Sequence, residues 1–328
     1  MYYIRKIRKN ESFREIETKD LYNKINKNIA YTHSGFFHAD DVLCTALLRI
    51  INPNIKIKRV HTITEDMESF LVFDIGGGKF DHHQADNESR TWKKGELNIP
   101  YASFGKLWEL IGYQLLGDNY YKVMDYDFVS EIDRADNSSY NTTFSMLIES
   151  MNPQWNEDQS DEAIYKKFEE AVSISIVLLN SYMNKMKSFL EADKKLEECL
   201  SDVETIEVKY KNKNYSLHVL YRDEYIPIIR QLSFTDVDFY IYPSNRGGYC
   251  ISPIKDKSTK DFKIKIPEWL YGKSEEELSK IVNGIKFVHS SGFLATSKDK
   301  ESAYHFIKYC TEKLLSEEFI HHTNYVFY

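Results

Sequence analysis

The sequence predicts an α/β fold: an open parallel sheet followed by a smaller α/β region. Three observations carry this expectation. Short apolar strands alternate with helical patterns after residue 28, the signature of a parallel sheet. Asp and His collect where those strands end, and ligands of open α/β sheets bind beyond the carboxyl ends of the strands. A second group of β-rich segments follows a long, charged helical stretch. The chain is therefore divided as a polar N-terminal arm (1–27), a first domain (28–160), a helical connection (161–202) and a second domain (203–328).

Asn28 to Thr32 reads as a strand leading straight into His33. Asp40 and Asp41 open a helix in which Leu43, Ala46, Leu47 and Ile50 follow the i, i+3, i+4, i+7 pattern. Two acids in a first turn suit the helix dipole whatever else they do. Pro53 cannot continue that helix. Ile57 to Thr62 and Phe70 to Phe73 read as further strands, the latter apolar on both faces as in a buried parallel sheet. Tyr101–Ile111 and Lys122–Ile132 read as two helices, and Asp133 and Asp136 follow the second. Acids at a helix C-terminus oppose the dipole, so a cation is expected to offset them. In the long helical region from Asp161 to Leu200, Ile174–Leu179 is expected to be core. Beyond it lie a hairpin (Val203–Tyr210 with Tyr215–Tyr221) and strands at Val237–Tyr242, Tyr249–Ile254 and Lys286–His289. Ser274 with Glu277 forms a capping box, and a last helix covers Glu301–Leu315.

Composition narrows the classes. The 328 residues are 42% hydrophobic and 28% charged, which excludes a disordered chain. The net charge of −7 means that any nucleic-acid contact needs a local basic patch. Cys44, Cys199, Cys250 and Cys310 form no C-x-x-C pair, so a thiolate zinc site or disulfide framework is not expected, and a reducing compartment is. The apolar run Val172–Leu179 is too short to span a bilayer, and no membrane association is expected. Arg5, Lys6, Arg8 and Lys9 are followed by Glu11, Glu15 and Glu17, unlike an acid-poor transit peptide. The expected location is intracellular: the cytoplasm first, with nucleus and mitochondrion open. The oligomeric state is not legible.

Five of the ten histidines fall between His33 and His83. With Asp40, Asp74, Asp81 and Asp133 they make a donor set of imidazole and carboxylate without thiolate, suited to Mn²⁺, with Mg²⁺ or Zn²⁺ as alternatives. So many donors exceed the protein share of one octahedral ion. Two cations about 3.5–4 Å apart, sharing a carboxylate, stabilise charge on a phosphoryl group.

His33-x4-His38-x-Asp40, Asp74-Ile75-Gly76-Gly77, Asp81-His82-His83 and Asp133 resemble the successive motifs of the DHH phosphoesterase superfamily. The stretches Thr32–Asp41, Val72–Gly77, Asp81–Gln84, Asn152–Asn156 and Phe287–Phe293 are similar to one branch of it, the melanocyte proliferating gene (Myg-type) exonuclease family. The resemblance runs from about Asn28 to Leu315. It implies a DHH-type catalytic domain (28–160) and a smaller substrate-binding domain (203–328). It further implies 3′→5′ cleavage of RNA by a hydroxide activated between two divalent metal ions. Short nucleotides or pyrophosphate are the alternative substrates, and a non-catalytic metal-binding scaffold is the alternative class. One metal would take His33, His38 and Asp74, the other Asp40, Asp74, His82 and Asp133. His83 would face the phosphate and Asp81 would orient an imidazole. His289, Ser290, Ser291 and Gly292 would offer donors to phosphate from the second domain.

Three departures from the pattern stand out. His38 occupies a position where many DHH proteins carry Asp, Ala295 and Thr296 replace two glycines, and Ser138-Ser139 follow Asn137 in place of a glycine. Arg246 before Gly247-Gly248 reads equally as a phosphate clamp or a hairpin-turn residue. Lys255, Lys257, Lys260, Lys263 and Lys265 form a basic stretch able to track a nucleic-acid backbone, although Asp256 and Asp261 interrupt it. His321-His322 lack neighbouring carboxylates in the sequence.

Overall fold

The computed structural model describes residues 15–323, and side chains as far as Ser316. The basic cluster Arg5–Lys9 and the side chains of His321 and His322 lie outside what is described. The chain divides into two compact units between Lys187 and Ser188, and the observed class is mixed α/β, with one parallel and one mixed sheet.

In the first unit the polar composition before residue 28 conceals a helix, α1, described over residues 15–25, whose Leu21 and Ile25 are buried. Strand β1 (Ile29–His33) is the centre of a three-stranded parallel sheet. It is flanked by β2 (Lys56–Val60) and β3 (Leu71–Val72). Ala30 pairs with both Ile57 and Leu71, so the register puts His33 at the carboxyl edge opposite Val60. The second and third strands are shorter than the apolar runs predict. His61 and Thr62 already bend away, and Phe73 makes only an isolated bridge to Phe80. Helix α2 (Ala39–Ile51) links β1 to β2 and is buried from Ala39 through Leu48. The predicted amphipathic stripe is thus covered on all sides, with Arg49 reaching out to a bidentate pair with Glu169.

The two helices expected at Tyr101–Ile111 and Lys122–Ile132 are one continuous helical path. Helix α3 (Ser103–Met124) runs into a π turn (Asp125–Val129) and then α4 (Ser130–Asp136) with no loop between them. Gly117, at φ 65 and ψ 172, kinks α3 without ending it, because glycine alone takes that conformation cheaply. Helix α5 (Thr143–Glu149) starts at a Thr142–Ser145 capping box. Helix α6 (Asp161–Lys194) corrects the expected core run. Ser175 and Leu179 are buried, while Ile174, Val177 and Leu178 are exposed. A helix packed along one side buries only a stripe, whatever the hydropathy of the rest.

In the second unit α7 (Leu196–Ser201) precedes the hairpin β4 (Val203–Tyr210) and β5 (Lys213–Tyr221). After α8 (Ile229–Leu232) come β6 (Phe239–Pro243), β7 (Tyr249–Pro253), α9 (Glu275–Ile281), β8 (Ile285–Val288), β9 (Ala295–Ser297) and α10 (Lys300–Thr323). The last helix extends well past the predicted Leu315. The six strands lie in the order β4-β5-β6-β7-β9-β8, and only the β5–β6 pair is parallel. Strand alternation sends Val219 and Phe239 into a core with Leu278 of α9 and Phe306 of α10. Their neighbours Leu220 and Tyr240 enter a separate core with Ala192 and Cys199.

Candidate metal centre

Asp74 follows β3 by two residues and has a left-handed backbone, φ 58, which is uncommon away from glycine. Its N–H donates to Phe80 O at 3.0 Å, closing a turn through Gly76 and Gly77. Gly76 lies at φ 88, and a Cβ there would sit 2.8 Å from the Ile63 side chain. This turn brings Asp81-His82-His83 back beside Asp74. Asp81 locks it by accepting from Gly77 N at 2.7 Å and His83 N at 3.2 Å.

The imidazoles are held by their own hydrogen bonds. His33 Nδ1 donates to Ser34 O at 3.0 Å, which leaves Nε2 toward Asp74 Oδ2 (3.2 Å) and Asp41 Oδ2 (3.4 Å). Burial works to lower the His33 pKa, but the Asp74 hydrogen bond and the Asp41 charge outweigh it and push it up to about 9. His82 has Asp74 Oδ1 3.3 Å from Nδ1 and Asp136 Oδ2 2.7 Å from Nε2. Against the opposing effect of burial, the hydrogen bonds to Asp136 and Asp74 push it up to about 11. Asp74 is burdened by burial, yet its hydrogen bonds from His33 and His82 hold its carboxyl well below the usual range. His83 stacks on His82 with ring centroids 4.2 Å apart and donates from Nδ1 to Asp81 Oδ1 at 2.6 Å. Its side chain is 63% exposed, so the other ring nitrogen is open to a ligand. His38 is exposed at the start of α2, its ring 6.2 Å from that of His33.

Two carboxylates from the expected ligand set serve the start of α3. Asp40 accepts from Ser103 N (3.1 Å) and Phe104 N (2.7 Å), two of the helix's free N–H groups. Its His82 contact is 3.9 Å. Burial, then the Asp74 and Asp136 charges, raise the Asp40 pKa well above normal. Asp133 accepts from Gly105 N at 3.1 Å and from the fully buried Arg90 Nη2 at 2.7 Å. Burial pushes Asp133 up to about 7 despite that guanidinium. Arg90 is the cation expected to offset the acids of this segment, and it also binds Asp125.

Two residues outside the expected ligand set come to the front. Asp136, one helical turn beyond Asp133, is the carboxylate brought against His82. Asp41 contacts His33 and is held from behind by Arg59 at 3.3 Å. Burial pushes it up to about 6 although His33 and Arg59 pull the other way. The signal for Asp136 was its i+3 spacing from Asp133, which puts both on one helix face.

Ligand atoms of His33, Asp41 and Asp74 lie within 4.8 Å of one another, as do those of Asp74, Asp81, His82 and His83, and those of Asp40, His82 and Asp136. Asp74 belongs to the first and second groups and His82 to the second and third. Buried carboxylates crowd here without enough fixed cations, and the donors are nitrogen and oxygen only, so the residues fit divalent metal. They open on a cavity of about 920 Å³ lined by His33, His38, Asp74, His82, His83 and Asp136.

The remaining expected site residues lie in the second unit. His289 Nδ1 lies 2.9 Å from Ser291 Oγ and accepts from Ser291 N at 3.1 Å, in the turn from β8 to β9. Ser290 is exposed beside them. Gly292, at φ 68, is required by packing, because a Cβ would fall 2.1 Å from the Tyr271 hydroxyl. Arg246 is an exposed residue of the β6–β7 hairpin turn, its N–H on Ser244 Oγ at 3.2 Å.

Comparison with known proteins now adds a family. The model MYG1_exonuc, described as an uncharacterised protein family (UPF0160), matches residues 29–310. The chain belongs to the MYG1 exonuclease family. A MYG1 protein of Saccharomyces cerevisiae is 26% identical over 88% of this chain and 96% of its own length. A MYG1 exonuclease of Rattus norvegicus is 28% identical over 83% of this chain and 81% of its own. One of Homo sapiens is 26% identical over 83% and 82%. No solved structure matches significantly. In this MYG1-family chain Ala295 and Thr296, which stand where two glycines were expected, lie in β9 and pair with Val288 and Phe287. Among the described residues no helix is long and apolar enough to cross a membrane.

Proposed function

We propose that this chain is a metal-dependent phosphodiesterase of DHH type that shortens RNA from its 3′ end with two divalent cations, manganese first. The observation that carries the reading is the convergence of Asp74 and His82 with Asp81, Asp136, His33 and His83 on one cavity. The name exonuclease carried by several relatives supports the reaction class.

In this reading two cations would be held here, with Asp74 a ligand common to both. His33 and Asp41 would complete one site, with His38 at its rim; His82 and Asp136 would complete the other, with Asp40 behind. Bound divalent cations supply Lewis acidity toward a phosphoryl oxygen and lower the pKa of a coordinated water. His33 is preset for its role, since its Nδ1 proton is committed to the Ser34 carbonyl and Nε2 is left for metal. Asp81 fixes His83 in the same way, and the free ring nitrogen would face a phosphate oxygen of the substrate. His289, Ser290, Ser291 and Gly292 are proposed phosphate donors of the second unit. Arg246 is a further one.

The test offers 5′-labelled RNA, matched DNA, dinucleotides and pyrophosphate to the purified chain with Mn²⁺. A ladder of RNA shortened from the 3′ end supports the reading. Turnover of dinucleotides or pyrophosphate alone points to a small-substrate phosphohydrolase, and metal binding without any turnover points to a scaffold. Asp74→Asn is expected to lower metal affinity by more than about a hundredfold and to abolish hydrolysis, with its circular dichroism spectrum unchanged. An active Asp74→Asn enzyme would sink the shared-ligand assignment.

A further inference from the structure

The lysine-rich stretch after β7 borders a second cavity, of about 560 Å³, that lies entirely in the second unit. Its walls are aromatic: Phe234, Tyr242, Phe262 and Phe293 line it. Phe234 is 61% exposed and Phe293 47%, so these rings are surface rather than core positions, and the Phe293 ring lies 4.2 Å from that of His289. The rim is cationic, formed by Arg230, Lys255, Lys257 and Lys260. Among the described residues none of these four ion-pairs with a carboxylate. Lys257 instead lies 4.1 Å from the centre of the Phe234 ring and Lys255 5.1 Å from that of Phe262. The one acid on the rim, Asp256, spends its carboxylate on the N–H groups of Ser258 and Thr259. Of the other lysines in the stretch, Lys263 is turned away, donating to Thr235 O and Val237 O.

We propose that this cavity takes one unstacked base of a single nucleic-acid strand between its aromatic walls, with the flanking phosphates on the lysine rim. Exposed aromatic rings beside cations without carboxylate partners are the combination that holds single strands, since every base has a face to stack and every nucleotide a charge to pair. An acidic peptide would use the same cations but gains little from ring faces. Nor is there a free strand for it to extend, because β7 under the cavity is already paired with β6 and β9. The proposal rests on the reading of the chain as a nucleic-acid enzyme and gives that reading a recognition site in the second unit.

Binding is measured on the full chain in EDTA, by anisotropy of an end-labelled oligoadenylate, so that it does not depend on metal or turnover. The unmodified chain is expected to bind. Phe234→Ala and the pair Lys257→Ala with Lys260→Ala are each expected to weaken binding at least about tenfold, with Phe234→Trp restoring it. The lysine pair is also expected to flatten the salt dependence. Phe234 and both lysines are exposed, and an unchanged melting curve checks that the variants fold. Unaltered affinity in both variants overturns the proposal, as does an unmodified chain that binds no strand. Polyglutamate displacing the probe as well as unlabelled oligoadenylate does so too, in favour of an acidic peptide. A chain that degrades RNA while these variants bind normally loses the pocket and keeps the hydrolase. A chain that binds through the pocket and never hydrolyses loses only the hydrolase.

Discussion

At Asp74 a left-handed backbone and a buried carboxylate coincide. Such a residue costs on the order of 1–3 kcal/mol and persists where its surroundings hold it, here Phe80 O and two imidazoles. Its place was legible in the sequence as an acid ahead of a glycine turn, but its geometry was not. The same scale separates Asp133 from Asp136. Both are acids on one helix face, and no rule of spacing says which one meets Arg90. Since Asp133 is fully buried against that guanidinium, Asp133→Ala is expected to cost about 3 kcal/mol or more in urea unfolding. Asp136→Ala is expected to leave folding nearly intact and to weaken metal binding by about 10–100-fold in calorimetry. The reverse pattern would return the ligand role to Asp133.

Among the elements, α3 does most to shape the centre, although it contributes no side chain that was expected to ligate. Its first N–H groups take Asp40 and Asp133, and Ser103 Oγ donates to Asp74 Oδ1 at 3.2 Å. Negative charge at a helix N-terminus is favourable, so the helix end lowers the cost of crowding these acids. Close approach is possible only because residue 105 is glycine: a Cβ there would stand 1.8 Å from Asp133 Oδ2. Gly105→Ala is therefore expected to lose about 1–3 kcal/mol or more by thermal or urea unfolding, and metal affinity with it. Wild-type stability in that variant would mean that α3 shifts without consequence for the acids. Gly105 was passed over in sequence because it sits inside a helical pattern, where glycine usually signals nothing but a weaker helix.

For the molecule as a whole, the charge cluster makes stability depend on metal and pH together. His33 and His82 have folded pKa values of about 9 and about 11 against 6.5 when free, so their contribution is complete below 6.5 and lost as pH climbs through the folded values. Asp41, raised from 3.8 to about 6, favours its neutral form, and its ionisation destabilises the fold as pH rises across that window. Asp74, held low, gives up its contribution only in acid. The melting temperature of the EDTA-treated chain is expected to fall between pH 6 and 9. The gain on adding Mn²⁺ is expected to grow over the same range, because metal displaces protons from these donors. A metal-induced gain that shrinks with rising pH would contradict this proton–metal exchange.

Read alone, the sequence determined the parallel β1–β3 sheet, because an alternation of apolar strands and a helix has few stable solutions, and it placed His33 and Asp74 at strand ends. It also held the family pattern from Asn28 onward. Only the tertiary structure decided which acids meet which imidazoles, since Asp41, Asp133 and Asp136 acquire partners through Arg59, Arg90 and His82, residues distant in sequence. The same holds for Lys255, Lys257 and Lys260, which read as a charge run interrupted by acids until folding set their heads beside Phe234 and Phe262. Periodicity records which face of an element is buried; it does not record what that face is buried against.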